Sequence, residues 1–383
     1  MLSNSPHIVF AGDGTAGHLF PGLAVAKQFL HEVPRTRITF AGCGKRLEQQ
    51  AVAAAGYQYL CIPCQPVPRS PWQALRFVTD NMAGYCASRW MLREQHVSMV
   101  VGLGGYSSAA TVRAAVSRGL PTVLLEQNAI PGKATCWLAP SASMVCASFH
   151  QIRPRLKLGT NLRFTGNPVR PEFQRLYWVP PENRVAQRGR HERRLLILGG
   201  SGGAESLNQS VPPALHKLGK QLRGWRVVHQ TGSGNLQSTQ ELYRKLNIEA
   251  LVVSFVDEMA EVMHGTDLVI SRAGGTTIAE LAMAGSAAIL VPYPNAADDH
   301  QMENAQVLAA ARACHVIDER SDAGRLDDQL VRELKRLVAN ESLRRRLGEQ
   351  IHAFAHPDAA QEVASAMREL LDMPAALVLR RAA

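Results

Sequence analysis

Four glycine-rich turns recur along this 383-residue chain, each directly after a short apolar run. Residues 7–11 lead into Gly12-Asp13-Gly14-Thr15-Ala16-Gly17-His18, and a helix is predicted over 21–30. Residues 99–101 lead into Gly102-Leu103-Gly104-Gly105-Tyr106, and residues 195–198 into Gly199-Gly200-Ser201-Gly202-Gly203-Ala204 before a helix from about Glu205. Residues 268–270 lead into Arg272-Ala273-Gly274-Gly275-Thr276-Thr277, which opens a helix over 278–283. A strand that turns at once into a helix needs residues without a Cβ, and it generates parallel sheets with crossover helices. Repeated in both halves, the pattern predicts an α/β chain of two Rossmann-like, doubly wound domains.

Further apolar runs fit that scheme. Strands are expected at 7–11, 37–41, 98–102, 121–126, 143–147 and 162–165, then at 194–199, 225–230, 250–255, 267–271 and 287–292. Gly166-Asn167-Pro168 closes the first set, which predicts domains at 1–168 and 169–353. The tail, about 354–372, reads as helical after Pro357 without a strand partner, and is expected to pack back on the first domain. None of the turns carries the Gly-Lys-Ser/Thr of a P-loop. None pairs dinucleotide GxGxxG spacing with an acidic residue a strand later, which argues against a nicotinamide enzyme.

Composition narrows the classes. The length suits two cores, and 46% hydrophobic with 19% charged residues is globular. The longest apolar run, 281–293, contains Gly and Pro and is shorter than the roughly 20 residues that span a bilayer. Residues 1–6 lack the basic-then-apolar order of a signal peptide, so a cytoplasmic protein is expected. Seven cysteines then read as thiols, and the lone Cys61-Ile62-Pro63-Cys64 reads as a strand end entering a Pro-rich loop rather than a metal or redox pair. No DxD triplet occurs, so metal chelation of a diphosphate has no visible ligand set, and no tightly bound cofactor is expected.

The net charge of +10 is uneven: residues 153–194 hold eleven Arg and Lys against three acids. No zinc finger, RNP-like strand or recognition-helix signature accompanies it, so nucleic acid is not the expected partner. Residues 66–93 mix Trp72, Leu75, Phe77, Met82, Tyr85 and Trp90 with Arg69, Arg76, Arg89 and Arg93. That segment is either a core helix with exposed arginines or a helix lying on an anionic membrane, with Trp72 and Phe77 at the headgroup boundary.

The stretch from Arg272 to Glu280 carries the most chemistry. Amides at Gly275, Thr276 and Thr277 at a helix N-terminus attract phosphate, and Glu280, one turn on, suits two ribose hydroxyls. An ordinary strand–turn–helix with a surface glutamate remains the alternative. Histidine titrates near neutrality, so His18, after the first turn, is a candidate general base if it reaches a cleft.

Taken in order, these segments resemble the MurG-type transferases, which move N-acetylglucosamine onto lipid I to give lipid II in peptidoglycan synthesis. The resemblance rests on Gly14-Thr15-Ala16-Gly17-His18-Leu19-Phe20-Pro21-Gly22-Leu23-Ala24, on Gly102 to Ser108, on Gly199 to Ala204, and on Arg272 to Glu280. Glu126-Gln127-Asn128, Gly166-Asn167-Pro168-Val169-Arg170, Phe255-Val256-Asp257-Glu258-Met259 and His300-Gln301 with Asn304-Ala305 also match. The resemblance implies the GT-B arrangement, two Rossmann-like domains facing a cleft. It implies UDP-N-acetylglucosamine as the donor, held by the second domain.

By that resemblance, Val256 reads the uracil edge and Glu280 holds the ribose. Ser201, Gly275, Thr276 and Thr277 contact the diphosphate, and Gln301, with His300 beside it, reads the sugar hydroxyls. Asn128 and Arg170 contact the donor near the cleft. Thr15, Ala16 and Gly17 face donor and acceptor diphosphates, Gly104, Gly105 and Tyr106 form an acceptor loop, and His18 is the general base. The implied acceptor is a lipid-linked muramoyl peptide and the product β-linked. The implied place is the cytoplasmic face of the inner membrane, bound peripherally, with cell-wall synthesis proteins as partners.

Four positions depart from the family pattern: Asp13 and Ala16 replace glycines, Gly202 stands where glutamine is common, and Leu125 replaces a frequent histidine. Two other readings keep the fold. One is a UDP-N-acetylglucosamine 2-epimerase, which needs no membrane segment; the other is a non-catalytic nucleotide-sugar binder.

Overall fold

A computed structural model describes residues 5–12, 16–68, 70, 72, 74–179, 193–200, 202–321 and 324–373. The described chain divides into two compact units, 1–170 with 358–383, and 171–357. The first contains β1 (His7–Gly12), α1 (Ala16–Glu32), β2 (Arg37–Gly42), α2 (Arg46–Ala54), β3 (Gln58–Cys61) and α3 (Ala74–Glu94). It continues with β4 (Met99–Gly104), α4 (Tyr106–Ser117), β5 (Thr122–Glu126), α5 (Lys133–Leu138), β6 (Met144–Ala147) and β7 (Leu162–Phe164).

Its strands pair in parallel in the order β3-β2-β1-β4-β5-β6-β7. Alternate residues of β1 feed opposite faces, as strand geometry requires. Ile8 and Phe10 join Val25, Phe29 and Phe40 on one side, while Val9 and Ala11 join Met91, Leu92, Val112 and Leu138 on the other. The rings of Phe10 and Phe40 stack at 5.1 Å. Burial of each such ring contributes roughly 1.5–3 kcal/mol.

The second unit contains α6 (Pro171–Tyr177), β8 (Arg193–Leu198), α7 (Glu205–Leu218), β9 (Trp225–Gln230), α8 (Leu236–Lys245), β10 (Leu251–Val253) and α9 (Met259–His264). Then follow β11 (Leu268–Ser271), α10 (Gly275–Ala284), β12 (Ala288–Leu290), α11 (His300–Ala310), β13 (His315–Val316), α12 (Leu326–Ala339) and α13 (Glu341–His352). The order is β10-β9-β8-β11-β12-β13, again all parallel. The chain then returns to the first unit as α14 (Ala359–Asp372), whose Val363, Ala364, Ala366, Met367 and Leu370 are buried in the core beneath α1.

The expected doubly wound domains are present. Two edge strands, four and two residues long, complete the sheets: β3, of which the sequence showed only the end at Cys61, and β13, absent from the sequence-based set. Helix α1 begins at Ala16, five residues before the predicted start, and contains Pro21. Gly17 and His18 therefore sit in its first turn rather than in a loop.

Behind the β8–α7 turn, His229 is fully buried. Its Nε2 lies 3.0 Å from Asn208 Oδ1 and its Nδ1 2.9 Å from the Tyr243 hydroxyl. Asn208 Nδ2 donates to Thr231 O at 3.1 Å, which fixes the amide and makes Nε2 the protonated ring nitrogen. Burial pushes this imidazole down to about 3. Below the ordinary histidine value the unfolded chain takes up a proton that the folded one refuses, so stability is full above about pH 6.5 and falls towards pH 3. Urea unfolding of the second unit is expected to lose up to ~1.4 kcal/mol per pH unit in that window. His229→Gln should flatten the slope; an unchanged slope would assign it to other groups.

Candidate active site

In each sheet the chain reverses its winding between two adjacent strands, β1 and β4 in the first unit, β8 and β11 in the second. Parallel strands bring the turns after such a pair to one edge, where ligands bind in open α/β sheets. The first and second glycine turns thus share one edge, and the third and fourth share another.

In the first unit the pairing between β1 and β4 slips: Ala11 faces Gly102 while Gly12 faces Gly104. Leu103 is the extra residue, a bulge of the kind that re-aims groups beside functional sites. Its carbonyl accepts from His18 Nδ1 at 3.0 Å and from Gln127 Nε2 at 3.3 Å. Gln127 Oε1 is also 3.0 Å from His18 Nδ1. Both neighbours accept, so Nδ1 carries the proton and the lone pair of neutral His18 is on Nε2. That is the tautomer a general base needs.

Gly104 and Gly105 have φ of 99° and 75°, where L side chains are strained. A Cβ on Gly104 would stand 2.9 Å from His18 Nδ1. Tyr106 opens α4; its hydroxyl is 3.9 Å from Cys43 Sγ and the Lys45 ammonium lies 5.9 Å above its ring. Asn128 is set by buried Glu126, whose Oε1 accepts from Asn128 N and Nδ2 at 3.1 and 3.3 Å. Glu126 Oε2 accepts from Gly132 N at 2.9 Å and Thr135 Oγ1 at 2.7 Å. Arg170 stacks its guanidinium 4.8 Å above Phe20. Leu125 lies in the core.

In the second unit α10 is capped by Gly274 and its first intrahelical bond is Ile278 N–H to Gly274 O, at 3.0 Å. The amides of Gly275, Thr276 and Thr277 therefore have no preceding carbonyl in the helix, the arrangement that binds anions. Glu280, one turn on, is buried rather than a surface glutamate. Helix α11 clamps this turn: Gln301 Oε1 accepts from Ala273 N at 3.2 Å and Tyr293 N at 3.0 Å, and Asn304 Nδ2 donates to Ala273 O at 3.0 Å. With Oε1 so engaged, Gln301 presents its amide nitrogen as a donor. His300 Nδ1 donates to Ala297 O at 2.7 Å.

Arg272 is committed within the protein. It donates to Val291 O at 3.0 Å, to Ser206 Oγ at 2.9 Å and to Glu319. It locks the fourth turn to the start of α7. Val256 is buried in the β10–α9 connection. Gly203 is needed where it stands, since a Cβ would meet Thr231 O at 2.4 Å, whereas Gly202 faces open space and accommodates a side chain. Thr15, Ser201 and Asp13 lie outside the described residues, as does the side chain of Ala16. Among the described residues no cluster of three or more His, Cys, Asp or Glu is arranged to hold a metal ion.

The Glycosyltransferase family 28 N-terminal domain matches residues 8–146 and the family 28 C-terminal domain residues 194–363. The UDP-N-acetylglucosamine–N-acetylmuramyl-(pentapeptide) pyrophosphoryl-undecaprenol N-acetylglucosamine transferase of Trichlorobacter lovleyi is 35% identical over 375 residues, spanning 94% of this chain and 97% of that protein. This chain belongs to the MurG family. The crystal structure of MurG from Acinetobacter baumannii superposes with a TM-score of 0.73 at 27% identity, covering 95% of this chain and 99% of that one. A UDP-GlcNAc 2-epimerase from Neisseria meningitidis shares the fold at a TM-score of 0.64 and 12% identity, over 96% of this chain and all 100% of that one. The transferase of the same name from Geobacter sulfurreducens is also 35% identical over 361 residues, spanning 94% of this chain and 97% of that protein.

The bulge at Leu103 could not be read from glycine spacing, and neither could the clamping of Ala273 by Gln301 and Asn304. Gly104→Ala is expected to strain the turn and push the His18 ring aside. Were His18 the general base, a displacement near 1 Å would lower turnover by up to about a hundredfold. Steady-state transfer, read beside an unchanged UDP affinity, checks this; full turnover in the folded variant would free the ring from Gly104.

Proposed function

We infer that this chain is an inverting glycosyltransferase that moves N-acetylglucosamine from UDP-N-acetylglucosamine to the C4 hydroxyl of the muramoyl sugar of lipid I. The observation that carries the reading is the β11–Gly274–α10 turn. It offers three amides for a diphosphate and a buried glutamate one turn on, in a chain of the MurG family. The donor is UDP-N-acetylglucosamine and the acceptor a lipid-linked muramoyl peptide.

The contacts are those that the resemblance to the MurG family implies for each named position. The Val256 backbone reads the uracil edge, Glu280 accepts the ribose hydroxyls, and Gly275, Thr276 and Thr277 hold the diphosphate with Ser201. Gln301, donating through Nε2, and His300 read the sugar. The acceptor oxygen attacks the anomeric carbon as the bond to UDP breaks, so an α-linked donor gives a β-linked product. His18 Nε2 takes the hydroxyl proton. Helix N-termini and Arg170 stabilise the negative charge on departing UDP. Asn128, Thr15, Ala16 and Gly17 line the diphosphate path, and Gly104, Gly105 and Tyr106 meet the acceptor.

We further propose that the chain lies peripherally on the cytoplasmic face of the inner membrane. No helix among the described residues is long and apolar enough to cross a membrane. Helix α3 buries Gly84, Ser88, Met91 and Leu92 on one side, with Gly84 so close to Pro63 O that a Cβ would meet it at 2.0 Å. The opposite side exposes Leu75, Val78, Met82 and Trp90, and Trp72 just before it is 93% exposed. Arg76, Arg89 and Arg93 are exposed beside them. Phe77 departs from expectation: at helical spacing it turns towards the packed side and is half-buried, so it is not a headgroup anchor. Arg69 lies outside the described residues.

Two substitutions separate binding from chemistry. Glu280→Ala should weaken UDP binding by about 1–3 kcal/mol in calorimetry. His18→Ala should lower turnover on lipid I roughly 100- to 10,000-fold with UDP affinity nearly intact. Formation of UDP-N-acetylmannosamine by the wild type would establish the epimerase instead, and donor binding without turnover the non-catalytic binder.

Co-sedimentation with anionic liposomes tests the membrane face. Trp72→Ser with Leu75→Ser and Met82→Ser should reduce binding, and wild-type binding should weaken with salt as the screening length shrinks to ~10 Å at 0.1 M. Equal sedimentation of wild type and folded variant would remove this surface from the proposal.

A further inference from the structure

The turn that delivers His300 and Gln301 is strained. Asp298 and Asp299 are consecutive non-glycine residues with φ of 50° and 57°. The left-handed region disfavours L side chains, and such residues persist only where their surroundings hold them. The holder here is Arg320. Its Nη1 and Nη2 donate to Asp299 Oδ1 and Oδ2, each at 3.2 Å, a two-pronged match of guanidinium and carboxylate. The arginine is itself anchored, since its Nε and backbone N–H donate to Asp318 Oδ1 at 3.1 and 2.9 Å. Asp318 follows Ile317, whose N–H donates to Leu290 O at 2.9 Å, so the anchor reaches the sheet through β12.

We propose that Arg320 is a positioning residue for the donor sugar: its fork on Asp299 holds the left-handed pair and sets where α11 begins, and so the direction in which His300 and Gln301 meet the sugar. This rests on the reading above, in which those two residues contact the sugar of the donor. The other face of Gln301 is already fixed, because its Oε1 takes the amides of Ala273 and Tyr293. A shift at Asp299 therefore tilts the start of α11 against a seated side chain. The nucleotide half of the donor depends on residues outside this turn: Val256, Gly275 to Thr277 and Glu280. Arg320 accordingly governs what the sugar adds to binding, not the binding of UDP.

An exposed ion pair without such a role contributes little, and the experiment separates the two. Dissociation constants of UDP and of UDP-N-acetylglucosamine are measured by calorimetry for the full chain. Arg320→Ala is expected to weaken UDP-N-acetylglucosamine about fivefold to tenfold while UDP changes less than about twofold. Arg320→Lys, a point donor that cannot fork, should fall between. Asp298→Gly added to Arg320→Ala should recover part of the loss, because glycine adopts positive φ without strain.

Unchanged UDP-N-acetylglucosamine affinity in Arg320→Ala, a matching loss of UDP affinity, or no recovery by the glycine would each overturn the proposal. Binding is read without acceptor, so a wild type that binds donor but transfers nothing counts against the proposed reaction alone and leaves this test decisive.

Discussion

Parallel strand pairing is the constraint on which the rest depends. A parallel pair forces every connection to cross the sheet and return, so each strand ends and each following helix begins at the same edge. Both sheets obey it throughout, and both reverse their winding once, at β1/β4 and at β8/β11. At those reversals two glycine turns stand side by side with no crossover helix between them. Gly12 opposite Gly104 in the first unit is the direct outcome of this pairing.

Around that frame, side-chain amides, backbone carbonyls and a buried carboxyl do most of the aiming. The Leu103 carbonyl fixes the His18 ring, Glu126 shapes the Asn128 connection, and Gln301 with Asn304 seizes both the N–H and the carbonyl of Ala273. Buried groups paired in this way leave few rearrangements open to the turn, since an unmade bond there is expensive. Arg272 illustrates the division of labour. It sits within the most chemistry-rich segment of the sequence, yet its guanidinium is spent on Val291, Ser206 and Glu319.

Strand–glycine–helix recurrence was enough to read the two doubly wound domains, because glycine is obligatory where a strand turns at once into a helix. Edge strand β13 escaped, and β3 showed only its end at Cys61, because neither carries a buried run, and pattern reads burial rather than hydrogen bonding. The start of α1 was misplaced because proline was taken as a first residue, whereas Pro21 lies inside the helix. The place of Glu280 one turn after the α10 amides of Gly275, Thr276 and Thr277 was legible from spacing, since helix geometry fixes it locally, whereas the burial of Glu280 depends on the tertiary packing. The tautomer of His18 was not: it depends on Leu103 and Gln127, 85 and 109 residues away. Phe77 and Leu75 look alike in sequence, and only the packing of Gly84 on Pro63 decides which of them faces out.

The return of α14 to the first unit has a consequence for synthesis. Residues 171–357 form the second unit without borrowing from the remainder, but the first core is completed by Val363, Ala364, Met367 and Leu370. A chain emerging from the ribosome therefore presents β1 to β7 with one flank of hydrophobic residues still bare. The half made first closes last, after the half made second already has every residue of its own core. For that interval the apolar flank beside α1 is the part of the nascent protein most in need of a chaperone.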